Sequence, residues 1–114
     1  MGKSQRDKGK RGERAVKRMF YDAGFEDAER NLNDVIDGQG IDVTAGNFAI
    51  QVKVRKNSVP MNMLYEVQTG NNGQFELLAS KVDRQPWLVT MRLNDFLTIM
   101  QDIGAAYKYE APPF

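Results

Sequence analysis

Three side chains near the middle of this chain could act together. Asp42 stands in the alternating segment Ile41-Asp42-Val43-Thr44-Ala45, and Gln51 and Lys53 stand in Phe48-Ala49-Ile50-Gln51-Val52-Lys53-Val54. A carboxylate and an amide oxygen are hard donors of the kind a magnesium ion takes, leaving room for waters and phosphate oxygens. An ammonium group beside them can hold a phosphate or assist an attacking water. Together these are the requirements of phosphodiester hydrolysis, in which a cation bears the developing charge. Glu13, upstream, could add a second carboxylate if it lies on a helix packed over the same site.

What the chain lacks narrows the chemistry further. It has no histidine and no cysteine among its 114 residues. Serine–histidine and cysteine–histidine catalysis, zinc–imidazole and zinc–thiolate sites and disulfides are therefore excluded. Carboxylates, amides, lysines and an oxygen-liking cation, Mg²⁺ or Mn²⁺, remain. At 41% hydrophobic and 27% charged residues the composition is that of one ordinary globular domain. No apolar run approaches the roughly 20 residues that span a bilayer, and no apolar stretch of a secretory signal follows the basic start. The expected setting is soluble and cytoplasmic.

The elements that must position these residues are legible as patterns. Two period-2 runs joined by Gly46-Asn47 predict a hairpin with a two-residue turn. That turn pairs Ala45 with Phe48, Val43 with Ile50 and Ile41 with Val52, giving one apolar face. Asp42 then falls opposite Gln51 on the other face, with Lys53 two residues along, and directly opposed Cβ atoms lie about 4.5–5.5 Å apart. Upstream, Ala15, Val16, Met19 and Phe20 predict an amphipathic helix over 11–23 that carries Glu13 and ends at Gly24. Residues 25–30 could form a short strand, and 31–40 (NLNDVIDGQG) read as a loop. Downstream, a helix is expected over 60–68, a turn at Asn71-Asn72-Gly73, strands over 75–82 and 87–91, and a last helix over 94–103. Trp87 and the six methionines read as core packing.

Charge is distributed unevenly. The net value is +1, but residues 1–18 hold eight cationic side chains against Asp7 and Glu13. That segment carries +6 and the remainder −5. A basic end suits a polyanion, because phosphate contacts supply non-specific affinity for nucleic acid. Lys8, Lys10, Arg11 and Arg14, with Arg55 and Lys56 after the second hairpin strand, are the candidate DNA contacts. The same residues also read as a solvated terminus and strand exit. Residues 1–10 are expected to be a flexible basic arm, 11–104 the folded domain and 105–114 a loose tail.

Taken together, Lys10-Arg11-Gly12-Glu13-Arg14 opening a helix, Gly24-Phe25 closing it, Gly38-Gln39-Gly40-Ile41-Asp42-Val43 and Ile50-Gln51-Val52-Lys53 resemble the PD-(D/E)XK nuclease superfamily. The layout is similar to archaeal-type Holliday junction resolvases and small phage endonucleases, and the Gln-x-Lys form resembles Mrr-type restriction endonucleases. The motifs cover about residues 10–56, and the order of elements extends the likeness to 103. The resemblance implies an α/β fold of restriction-endonuclease type: a central mixed sheet flanked by helices in the order α-βββ-α-ββ-α. It implies catalytic roles for Glu13, Asp42, Gln51 and Lys53, with Mg²⁺ or Mn²⁺ held by Asp42, Gln51 and Glu13. It further implies hydrolysis of branched or duplex DNA by a homodimer. Gln51 departs from the pattern, since a carboxylate is usual there. The departure leaves open a nuclease fold that binds DNA and cuts poorly, with Asp34 or Asp37 as compensating acids.

Overall fold

A computed structural model describes residues 3–32, 38–70 and 73–104. Asp34 and Asp37, the turn residues Asn71 and Asn72 and the tail over 105–114 lie outside them.

The first helix, α1, runs Lys3–Asp22 and so begins well before residue 11. Residues 3–10 are helical, a correction to the expected flexible arm. Lys, Arg and Gln are good helix formers, so these turns need no apolar stripe to stay helical. They are also tied down, because the Lys8 ammonium lies 2.8 Å from the Asp83 carboxylate. Farther along, Val16 is buried and Phe20 partly so against the sheet. Gly12 sits where α1 meets the central strand: a Cβ there would lie 2.7 Å from a Val54 methyl and 3.5 Å from the Trp87 ring. The absence of a side chain lets the helix lie close. Gly24, at φ 110°, ends α1, with Phe25 N–H bonded to the Phe20 carbonyl.

Five strands follow: β1 (Glu29–Arg30), β2 (Val43–Ala45), β3 (Phe48–Arg55), β4 (Phe75–Val82) and β5 (Leu88–Thr90). They make one mixed sheet in the order β1-β2-β3-β4-β5, in which only the β3–β4 pairing is parallel. The expected strand over 25–30 shrinks to its last two residues. Phe25 to Ala28 turn instead, and the Asp27 carboxylate accepts the Gly46 N–H at 3.0 Å, pinning this turn to the hairpin tip. The helix expected over 60–68 is a single 3-10 segment, Met61–Glu66. Six residues behind an uncapped Pro60 are too few to sustain α-helix, and the Val67 N–H closes the segment on the Leu64 carbonyl. The last helix, α2, runs Leu93–Gly104, one residue beyond the expected bounds at each end.

The sheet buries apolar residues on both faces. Under α1, Val16 packs with Val43, Ile50, Val52, Leu77 and Ala79, and Trp87 joins this core as expected. Phe20, Phe25 and Phe48 close its end with ring centroids 5.4 to 6.2 Å apart. On the other face a smaller cluster unites Ile41, Ala49 and Val67. No described helix is long and apolar enough to cross a membrane.

Candidate active site

The hairpin keeps its expected register from the turn as far as Val43↔Ile50 and then departs from it. The Asp42 N–H donates to the Ile50 carbonyl at 2.8 Å, so Asp42 and Val43 together oppose one residue, a β-bulge. In an unbroken ladder the Val52 N–H would bond the Ile41 carbonyl. It donates instead to Asp42 Oδ2 at 2.8 Å, and the Ile41 carbonyl accepts the Asn31 side-chain amide at 2.9 Å. The extra residue carries Ile41 into the cluster with Ala49 and Val67, not beneath α1 with Val52 as the simple alternation predicts. Two expectations are thereby corrected: Ile41 does not extend the apolar face of Val43, and Asp42 does not share a wall with Gln51.

The bulge turns Asp42 toward α1. Asp42 and Glu13 line one cleft of about 310 Å³ beside the C-terminal half of β3, together with Gly9, Val52 and Lys53. Lys8, Val54, Arg55 and Lys56 complete its walls, Arg55 and Lys56 being exposed. Three of the four residues expected to do chemistry therefore meet in one place, with three of the expected DNA contacts around them. Glu13 does not stand alone there. The Arg30 guanidinium donates to Glu13 Oε1 from two nitrogens, at 3.0 and 3.2 Å, and both groups are mostly covered. Both bonds fall on the same carboxylate oxygen, and Oε2 faces no other bonded partner among the described residues.

Gln51 is the residue that the cleft does not include. It is 3% exposed and donates from Nε2 to Glu66 Oε1 at 2.8 Å, at the end of the 3-10 segment. The Lys53 ammonium lies 3.6 Å from the same Glu66 oxygen. Lys53 thus belongs to both groups, with part of its side chain in the cleft wall and its charge toward Glu66. Glu66 supplies a carboxylate beside the Gln-x-Lys pair where the motif itself has none. The loop before Asp42 holds it there: Gln68 N–H bonds the Gln39 carbonyl at 2.8 Å, and Gly40, at φ 68°, leaves no room for a side chain beside the Glu66 backbone. A Cβ at Gly40 would collide with the Glu66 carbonyl oxygen and lie 3.0 Å from Gln51 Oε1.

The remaining cations divide. Lys8 is engaged by Asp83, and this hydrogen bond holds the Asp83 carboxyl below its usual range, aided by Lys81 and Lys56 nearby. Lys10 and Arg11 are exposed on α1. Arg14 lines a separate basic groove with Lys17, Arg18, Tyr21 and Arg30, a grouping that no sequence pattern predicts. Arg30 therefore touches the Glu13 side of the cleft and also this groove. Among the described residues no three acidic side chains converge on one point; the carboxylate pair Glu13 and Asp42 is what the cleft offers a cation.

Neither the family models, the curated proteins nor the solved structures contain a match to this chain.

Proposed function

We propose that this chain is a metal-dependent endonuclease of PD-(D/E)XK type that hydrolyses phosphodiester bonds in DNA, with branched DNA such as a four-way junction as its preferred substrate. The observation that carries the reading is the shared cleft of Glu13, Asp42 and Lys53, bordered by Arg55 and Lys56. The preference for branched DNA rests on the sequence resemblance alone.

The donor set suits Mg²⁺ or Mn²⁺, which take one or two carboxylates and keep the rest of their shell for water and phosphate. Asp42, fixed by the Val52 amide, and Glu13 through Oε2 are the residues that would hold it. When bound, the ion supplies Lewis-acid charge and a more acidic water. Lys53, whose side chain lines the cleft, would turn its ammonium from Glu66 to the scissile phosphate, while Lys56 as a point charge and Arg55 as a planar donor hold the flanking phosphates. Gln51, expected as a metal ligand, is given a positioning role here. Its buried amide fixes Glu66, and Glu66 in turn orients Lys53.

A second reading, a nuclease-fold protein that binds DNA without cutting, draws on the same ion pairs. Arg30 neutralises Glu13, and Glu66 neutralises Lys53. The two readings separate when labelled four-way junction, duplex and single-stranded DNA are incubated with Mg²⁺, Mn²⁺ or EDTA. Cutting that EDTA abolishes, fastest on the junction, is the expected result. Binding without cutting under either metal would hand the function to the second reading.

A further inference from the structure

The basic groove of about 570 Å³ on the exposed face of α1 meets the cleft at the Glu13–Arg30 pair. Arg14, Lys17, Arg18 and Tyr21 recur at three- and four-residue spacing, so they share one stripe of the helix, and all four are exposed. At about 1.5 Å of rise per residue the stripe is roughly 10 Å long. Arg30 on β1 closes the groove from the sheet. It pairs with Val43, which is buried beneath α1, so its side chain points to the same face. Arg18 is bound to Asp22 at 3.0 Å and Arg30 to Glu13. Arg14 and Lys17 have no acidic partner among the described residues.

The chemistry of the groove selects a phosphate-bearing strand. Three guanidinium groups and an ammonium are donors that phosphate oxygens take, and the planar fork of arginine matches them in shape. Tyr21, 51% exposed, adds the ring and hydroxyl that cationic nucleic-acid grooves use for stacking and phosphate contact. A membrane surface is disfavoured, because the apolar stripe of α1 is spent on the sheet through Val16 and Phe20.

Arg30 ties this groove to the cleft. Its guanidinium gives both of its side-chain bonds to Glu13 Oε1, at 3.0 and 3.2 Å. A cation held by Glu13 and Asp42 would share that carboxylate with a second positive charge, and each would weaken the other's hold. A phosphate in the groove offers the guanidinium another anion and removes the competition. We infer that the Arg14–Arg30 groove binds a nucleic-acid strand, and that Arg30 passes from Glu13 to a phosphate of that strand, tightening the cleft's hold on its metal ion. The inference rests on the reading of Glu13 and Asp42 as metal ligands. Such coupling is reciprocal, so the ion also tightens the strand.

Mn²⁺ titration of the full chain, with and without a phosphorothioate oligothymidylate of about eight nucleotides, tests the coupling. The oligonucleotide's own Mn²⁺ uptake is measured apart and subtracted. Saturating oligonucleotide is expected to raise the Mn²⁺ affinity of wild type at least about fivefold. Arg30→Gln is expected to raise it by a similar factor with no oligonucleotide present, and then to show no further response. A residue that merely braced Glu13 would give weaker Mn²⁺ binding instead, and that result overturns the inference. The wild-type comparison decides alone where Arg30→Gln does not fold. Arg14→Ala combined with Lys17→Ala is expected to weaken oligonucleotide binding at least about fivefold and to flatten its salt dependence by about two charges. Mn²⁺ that binds wild type but not Asp42→Ala, yet ignores both the oligonucleotide and Arg30→Gln, overturns the inference and leaves the reading of the cleft intact. No Mn²⁺ binding at all in wild type overturns both. Oligonucleotide affinity that is indifferent to the double variant, or weaker than that of an oligoglutamate of equal charge, also overturns the inference.

Discussion

Glu66 is the residue on which the meaning of Gln51 turns. A glutamine in place of a carboxylate removes one negative charge from the expected site, and Glu66 restores a carboxylate at 2.8 Å from the glutamine amide and 3.6 Å from the lysine ammonium. Two substitutions separate its charge from its hydrogen bond. Glu66→Gln keeps an acceptor for the Gln51 amide and is expected to leave stability nearly unchanged while lowering the rate of DNA cleavage by about tenfold or more. Glu66→Ala leaves a buried donor unpaired and is expected to cost about 1–3 kcal/mol in urea denaturation as well. Equal stability of both variants, with cleavage unaffected, would leave Glu66 without either role. From the sequence, Tyr65 and Glu66 on the expected helix over 60–68 could reach the site, but nothing there compels it. Glu66 lies fifteen residues from Gln51 in a segment whose apolar pattern only says that something short and helical is there. Glu13, Asp42 and Lys53 were legible as candidates from residue type and family resemblance, but the bulge that brings Asp42 to Glu13 was not, since the simple register set Asp42 opposite Gln51. Arg30 was not legible either, for its partner is set by how α1 crosses β1.

At the scale of elements, the hairpin turn, the Val43↔Ile50 register and the spans of β3, β4 and α2 follow from local pattern, and they are where periodicity is strongest. The departures share a cause. The bulge at Asp42 is invisible to alternation, because Ile41 reads equally well on either apolar face when both faces of the sheet are covered. The early start of α1 escapes because its first turns bury no apolar stripe. The 3-10 segment escapes because six residues cannot display a helical period. Gly40 joins these pieces, since its positive φ and its contact with Glu66 let the loop, the 3-10 segment and the bulge meet. Gly40→Ala is expected to destabilise the fold by about 1–3 kcal/mol, through left-handed backbone strain and the collision with the Glu66 carbonyl. The midpoint of urea unfolding measures this. An unchanged midpoint would mean that the loop and the 3-10 segment separate at no cost.

Over the whole molecule, the two halves of the sheet are fastened differently. One side is held by the core beneath α1. The root of α2 is held by polar contacts to Glu76, which accepts from the Thr69 N–H at 3.1 Å, the Thr69 hydroxyl at 2.9 Å and Arg92 at 2.6 Å. Burial pushes the Glu76 carboxyl upward, but the Thr69 and Arg92 contacts outweigh it and hold the group below its ordinary value of 4.5. A depressed carboxylate stabilises the fold fully above the unfolded value and loses that contribution as pH falls through the folded one. Wild type is therefore expected to lose stability relative to Glu76→Gln as urea melts are carried from pH 7 toward pH 3. A constant difference across that range would remove Glu76 from the account.

The charge asymmetry acts at this scale too, for the cations of α1 flank both the cleft and the Arg14–Arg30 groove, so on the proposed reading DNA binding and cutting draw on separate residues. Asp42→Ala separates them most directly. Cleavage of labelled DNA and Mn²⁺ titration should be measured on this variant and on wild type, with DNA affinity at fixed salt alongside. The expected result is a loss of cleavage of at least about 10²-fold, a matching loss of Mn²⁺ binding and nearly unchanged DNA affinity. Cleavage and Mn²⁺ binding that both survive the loss of Asp42 would contradict the assignment of the cleft as the site of hydrolysis.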